Sequence, residues 1–87
     1  MTKIIFYSLL HEKLGVASTD IDGNCGIAEL FDRVVKKFNA DRSLFFKGKK
    51  IKDDYIVLLN GRSVTFEKNA FVKEADEVTI IPILTGG

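Results

Sequence analysis

Tryptophan is absent from this chain, and cysteine, histidine, proline and methionine occur once each. Each scarcity removes a class of chemistry. A lone Cys25 allows no internal disulfide, no zinc site of paired cysteines and no cysteine-held iron–sulfur cluster. It reads as a small buried or helix-start residue rather than a reactive thiol. His11 has no second histidine with which to share a metal, and its neighbours place it on a surface turn. An excess of charge of one sign is missing too: 13 basic side chains face 12 acidic ones, for a net charge of +1. Bulk charge therefore offers no phosphate-binding face, and nucleic acid is not an expected partner. No apolar run approaches the ~20 residues that span a bilayer. The apolar opening Met1–Leu10 lacks a small-residue cleavage site and meets Glu12 and Lys13 too early for a signal peptide. These readings predict a cytoplasmic protein with no membrane association.

What is present is core material. Hydrophobic residues make up 46% of the 87 positions and seven are Phe, enough for one domain over residues 1–87. Lys3 to Leu9 fits a first strand with apolar residues on both faces, Ile4 and Phe6 against Ile5 and Tyr7. His11 to Gly15 reads as a turn, and Val16 to Ile21 as a weaker edge strand ended by Asp22-Gly23-Asn24. Ile27, Leu30, Phe31, Val34, Val35 and Phe38 then recur at helical spacing and form one apolar stripe. Glu29, Asp32, Arg33, Lys36 and Lys37 take the other face, acids early and lysines late, as the helix dipole prefers. Gly26 or Asn24 would cap this helix, with Glu29 folding back on its first turn.

Asn39 to Asp54 reads as a charged, solvated loop carrying Lys47, Lys49, Lys50 and Lys52, with one of the rings of Phe45 and Phe46 tucked beneath it. Tyr55–Leu59, Asn60-Gly61 and Arg62–Phe66 form a hairpin, because a type I′ turn needs positive φ at both central residues. A two-residue loop sets Leu58 opposite Ser63, Val57 opposite Val64 and Tyr55 opposite Phe66. After an irregular crossover with a turn at Glu74-Ala75-Asp76, Glu77 to Ile83 makes the last strand, where pairing should fade at Pro82. The order β-β-α-β-β-β predicts an α+β fold, a mixed sheet of four to five strands crossed by one main helix. One helix covers only one side of such a sheet. Ile5, Tyr7, Ile56, Leu58, Ile81 and Ile83 are thus left on a face open to another protein.

The sequence closes on Leu84-Thr85-Gly86-Gly87. Two glycines without side chains can thread a narrow channel, and the reading expects a flexible tail over 84–87 with a free carboxylate on Gly87. Lys3–Tyr7, the His11–Gly15 turn, Ile27–Leu30, Val57–Arg62 and above all Ala75-Asp76-Glu77-Val78 through Pro82 to Thr85-Gly86-Gly87 resemble the β-grasp sulfur carriers. These are the small subunit of molybdopterin synthase (MoaD) and the thiamine carrier (ThiS). The length, the charged loop and the Pro82-to-Gly87 spacing favour the molybdopterin branch. Three positions depart from the family pattern: Ile83 for a proline, Ala75 for a turn glycine and Gly26 for a capping threonine.

The resemblance implies a ubiquitin-like β-grasp fold and a function as sulfur carrier in molybdenum or tungsten cofactor synthesis. A ubiquitin-activating-type adenylyltransferase would spend ATP on the Gly87 carboxylate, which then becomes a thiocarboxylate. Gly86 keeps the tail narrow where it enters the large subunit of molybdopterin synthase, the expected heterotetramer partner. Tyr7, Leu58, Ser63, Ile81 and Ile83 would contact partners, with Leu84 and Thr85 on the tail. The chain itself would bind no cofactor or metal and act as a sulfur-donating subunit without catalytic side chains. The alternatives are a ubiquitin-like modifier, whose activated Gly87 meets a lysine amine, and a carrier for thiamine or tRNA thiolation.

Overall fold

The computed structural model describes residues 1–65, 67 and 69–83. Along the chain these form β1 (Thr2–Phe6), α1 (Leu9–Leu14), β2 (Ser18–Ile21), β3 (Cys25–Gly26), α2 (Ile27–Phe38) and a 3-10 turn (Arg42–Leu44). There follow β4 (Phe46–Lys47), β5 (Lys50–Ile51), β6 (Tyr55–Leu59), β7 (Arg62–Ser63), β8 (Phe71–Val72) and β9 (Glu77–Pro82). Five strands make one mixed sheet in the order β2-β1-β9-β6-β7, and β3-β8 and β4-β5 are two small ribbons. The last strand is therefore the middle one. It runs parallel to β1 and antiparallel to β6, with Ile80 opposite both Phe6 and Val57.

The α2 stripe falls on the side its spacing requires. Leu30, Phe31 and Val34 are fully buried, as are Ile4, Val78 and Ile80 on the sheet beneath them. Phe6 meets Phe38 edge-on at 6.1 Å, and Phe45 lies between Phe31 at 5.1 Å and Tyr55 at 5.4 Å. Such pairs add stabilisation beyond the area they bury. The Tyr55 hydroxyl donates to the Leu44 carbonyl, which gives the buried phenol its partner.

Four local expectations are corrected. The first strand stops at Phe6, and Leu9 to Leu14 is a helical turn and a half rather than strand followed by loop. Leu10 and Leu14, four apart, pack inward, and Gly15 at φ 77 ends the helix in the left-handed region, where its N–H bonds the His11 carbonyl. Second, Gly26, one of the two residues expected to cap α2, is its N-cap, but no side chain completes the cap. Ala70, on the approach to β8, supplies its carbonyl to the Ile27 N–H at 3.1 Å. Glu29 turns instead to Arg33 at 3.2 Å, and the Asn24 side chain accepts from the Glu74 N–H. Third, the charged loop is structured: both Phe45 and Phe46 are buried, and β4 and β5 form a tight hairpin above them. Fourth, the crossover contains β8, which pairs with β3.

The Asn60-Gly61 turn has positive φ at both positions, 51 and 85, and sets Leu58 opposite Ser63 as its length requires. Beyond Ser63 one ladder bond remains, from the Val64 N–H to the Val57 carbonyl at 2.9 Å. The Thr65 hydroxyl there takes the Val57 N–H at 3.0 Å, in place of a backbone carbonyl. Phe66, expected opposite Tyr55, lies outside the described residues.

Candidate functional site

The site is the end of the sheet from which β9 departs, together with the face that α2 does not cover. Pairing ends where proline demands it. Pro82 is the last ladder residue, opposite Tyr55, and the next N–H, that of Ile83, is held at 2.7 Å by the Asp54 carbonyl. On the other side the Tyr7 N–H bonds the Ile80 carbonyl at 3.2 Å. These bonds fix the departure point of the chain from both neighbours.

Register defines the open face. Ile5, Thr79, Leu58 and Ser63 stand in one row across β1, β9, β6 and β7, and Ile56 pairs with Ile81 in the next. Residues paired across strands share a face. Tyr7, Ile56 and Ile83 are exposed by 50%, 37% and 39%, large values for apolar side chains, and Ser63 is exposed as well. Leu58 and Ile81 are half-buried between them. All five sequence-derived partner residues of the described part, Tyr7, Leu58, Ser63, Ile81 and Ile83, thus belong to the rows of this face or to its exit end. Leu84, Thr85, Gly86 and Gly87 lie outside the described residues.

The exit has a second rim that the sequence reading missed. Leu9 and Lys13 of α1 face Leu44, Lys52 and Asp54 across a cleft of about 550 Å3, with Tyr55 at its wall. The signal was available, since Leu10 and Leu14 stand four apart immediately before Gly15. Reading Lys3–Leu9 as one strand hid it.

Two side chains that could act as nucleophiles are tied to structure instead. Burial pushes the Cys25 thiol up from its ordinary value, which keeps it protonated and unreactive near neutrality. Burial also raises the Tyr55 phenol, with the Asp54 carboxylate adding to the shift. His11 is exposed on α1. Among the described residues no cluster of three or more His, Cys, Asp or Glu is placed to hold a metal ion, and no helix is long and apolar enough to cross a membrane.

Residues 4–87 match the model of the ThiS family. The chain belongs to that family. Among solved structures, this ThiS-family chain resembles SAMP1 from Haloferax volcanii at 22% identity and TM-score 0.78, over 99% of this chain and 98% of that one. A chain of the BexX/CysO complex of Amycolatopsis orientalis is 24% identical with TM-score 0.82, and each chain is covered completely. A putative molybdopterin converting factor, subunit 1, from Pyrococcus furiosus is 17% identical with TM-score 0.66, over 95% of this chain and 97% of that one. At such identities the likeness speaks for the fold, a ubiquitin-like β-grasp. No curated protein matches the sequence.

Proposed function

We propose that the protein is a sulfur carrier whose reactive group is the carboxylate of Gly87, acting as the small subunit of a molybdopterin synthase. The observation that carries this reading is the placement of β9. The central strand of the sheet leads directly into Leu84-Thr85-Gly86-Gly87, and the last described N–H, that of Ile83, is anchored. Four further residues reach at most about 14 Å when extended. Such a tail enters a partner's active site only if the partner sits against the end of the sheet, where Tyr7, Leu58, Ser63, Ile81 and Ile83 offer it an apolar face.

The chemistry follows from the carboxylate. It is a poor electrophile until it carries a leaving group. An adenylyltransferase supplies one: a Gly87 oxygen attacks the α-phosphate of ATP, and pyrophosphate departs. A persulfide on a partner's cysteine then attacks the acyl carbon and expels AMP. A thiol cleaves the sulfur–sulfur bond, leaving the thiocarboxylate on Gly87 and a disulfide on the partner side. In the synthase the tail would place this sulfur beside a pterin precursor held by the large subunit. With Cys25 and Tyr55 tied into the core, the chain needs no side-chain nucleophile of its own for these steps. ATP belongs to the activating enzyme, in the cytoplasm. A partner channel that threads a Gly-Gly tail would have no room for a Cβ at Gly86, so Gly86→Val should block delivery while leaving the fold intact.

Reconstitution with the large subunit tests the branch. Thiocarboxylated protein should convert the cyclic pterin precursor to the dithiolene product, and protein lacking Gly87 should not. A second reading has specific support, because SAMP1, a named small archaeal modifier, shares this fold. An isopeptide bond between Gly87 and lysines of other proteins, with no activity toward the pterin, would favour it.

A further inference from the structure

The near-neutral charge of the chain conceals a strong segregation. Between Arg42 and Lys52 stand Arg42, Lys47, Lys49, Lys50 and Lys52 with no acidic residue among them. These are five of the 13 basic side chains, and the remaining eight face all 12 acidic ones, so the rest of the molecule carries −4. Arg33, Lys36, Arg62 and, at the start of the basic segment, Arg42 each lie within 3.2 Å of a carboxylate. Among the described residues, no ion pair involves Lys47, Lys49, Lys50 or Lys52. Lys47 and Lys50 are direct cross-strand partners in the β4–β5 ribbon. Like charges in that position oppose folding, so here local sequence and local structure conflict.

The hairpin backbone is nevertheless anchored. Phe45 and Phe46 root it in the core, the Arg42 guanidinium lies 4.1 Å from the Phe46 ring centroid, and the Lys52 N–H bonds the Phe45 carbonyl at 2.8 Å. Gly48 at φ 63 closes the tip. Lys52 also borders the cleft that contains Asp54, whose carbonyl anchors Ile83. The basic tip therefore rises from the rim of the tail's exit.

We propose that the Lys47–Lys52 hairpin is a docking element for an acidic surface of the adenylyltransferase that activates the tail, an inference that rests on the carrier function proposed above. Any enzyme that acts on Gly87 must lie against this end of the sheet, and carboxylates there complement the hairpin. Nucleic acid is the poorer occupant. Both neighbouring phenylalanines are buried and offer no ring for base stacking. An electrostatic docking element acts mainly on encounter, which makes it sensitive to salt.

The test is ATP–pyrophosphate exchange by the adenylyltransferase of the same cells, titrated with wild-type protein and with K47E/K49E/K50E. At low ionic strength the variant should need about tenfold more protein for half-saturation, with the maximal rate unchanged. The two curves should converge in high salt. K47Q/K49Q/K50Q should fall between them and, with the Lys47–Lys50 repulsion removed, should melt no lower than the wild type, so that weaker exchange cannot come from unfolding. Coincident curves at low salt overturn the proposal. So does a duplex RNA that binds the wild type but not the variant while exchange is unaffected. No exchange with wild-type protein would refute the carrier reading itself, and with it this inference, before any variant is compared.

Discussion

Ser8 has φ 50 and ψ −124 at the first central position of the Tyr7–Leu10 turn, closed by the Leu10 N–H on the Tyr7 carbonyl at 3.2 Å. That is the conformation of a type II′ turn, which glycine adopts freely and serine only with strain. Ser8→Gly should raise stability by about 1 kcal/mol in chemical denaturation, since the relieved strain exceeds the added chain entropy. Ala75, at φ 70, occupies the turn where the resembling carriers have glycine, and Ala75→Gly should stabilise by about 0.5–1 kcal/mol. Asn60 works in the opposite sense. Its side-chain oxygen accepts the Glu77 N–H at 2.8 Å, and its amide donates to Asp76 at 2.9 Å, extending the β6–β9 pairing past the turn. Asn60→Ala should cost about 1–2 kcal/mol, because it removes both bonds and places alanine at φ 51.

Among the elements, those with strong periodicity were legible in the sequence. The α2 stripe, the Asn60-Gly61 hairpin and β9 each show a pattern longer than its local noise. The short elements were not. Helix α1 has only six residues, and ribbons β3–β8 and β4–β5 have two residues a strand, too few for any period to show. Their positions follow from tertiary contacts, as when Ala70 meets the start of α2 or when Phe45 is drawn between Phe31 and Tyr55. The second rim of the exit comes from α1, marked in the sequence only by the single Leu10–Leu14 pair, and from Leu44, Lys52 and Asp54, which no spacing marks. Phe45 supports that rim. Phe45→Ala should cost about 3–5 kcal/mol by equilibrium unfolding, as for any large ring removed from a fully buried site.

For the whole molecule, the titrating groups define a pH range of stability. Lys36 bonding to Asp32, the Ser43 N–H bonding to Asp41, the Met1 ammonium bonding to Glu74 and the Asn60 amide bonding to Asp76 each hold a carboxyl below its ordinary value. A carboxylate with a depressed folded pKa stabilises above the unfolded value near 4, and that contribution is lost as pH falls through the folded one. Tyr55 acts at the other end. Burial raises its folded pKa, so its contribution is intact below about 10 and is lost as pH rises beyond. The Met1 ammonium, raised by its bond to Glu74, begins to lose its contribution above about pH 8, so thermal unfolding followed by circular dichroism should give a flat midpoint from about pH 5 to 8, with declines on both sides. The acid decline should be modest, since these carboxylates sit at the surface.

At this same scale the sheet brings together what the sequence holds far apart. Residue 7, the 56–63 hairpin and residues 79–83 become one apolar face around the departure of the chain, flanked by the basic hairpin. The central claim is that this assembly exists to present an activated Gly87. Its most direct measurement is the intact mass of the protein purified from its own cells, beside a control lacking Gly87. The account predicts a gain equal to sulfur replacing one oxygen, present in the full-length protein and absent from the control. An unshifted mass, even after incubation with the adenylyltransferase, ATP and a persulfide donor, would contradict it.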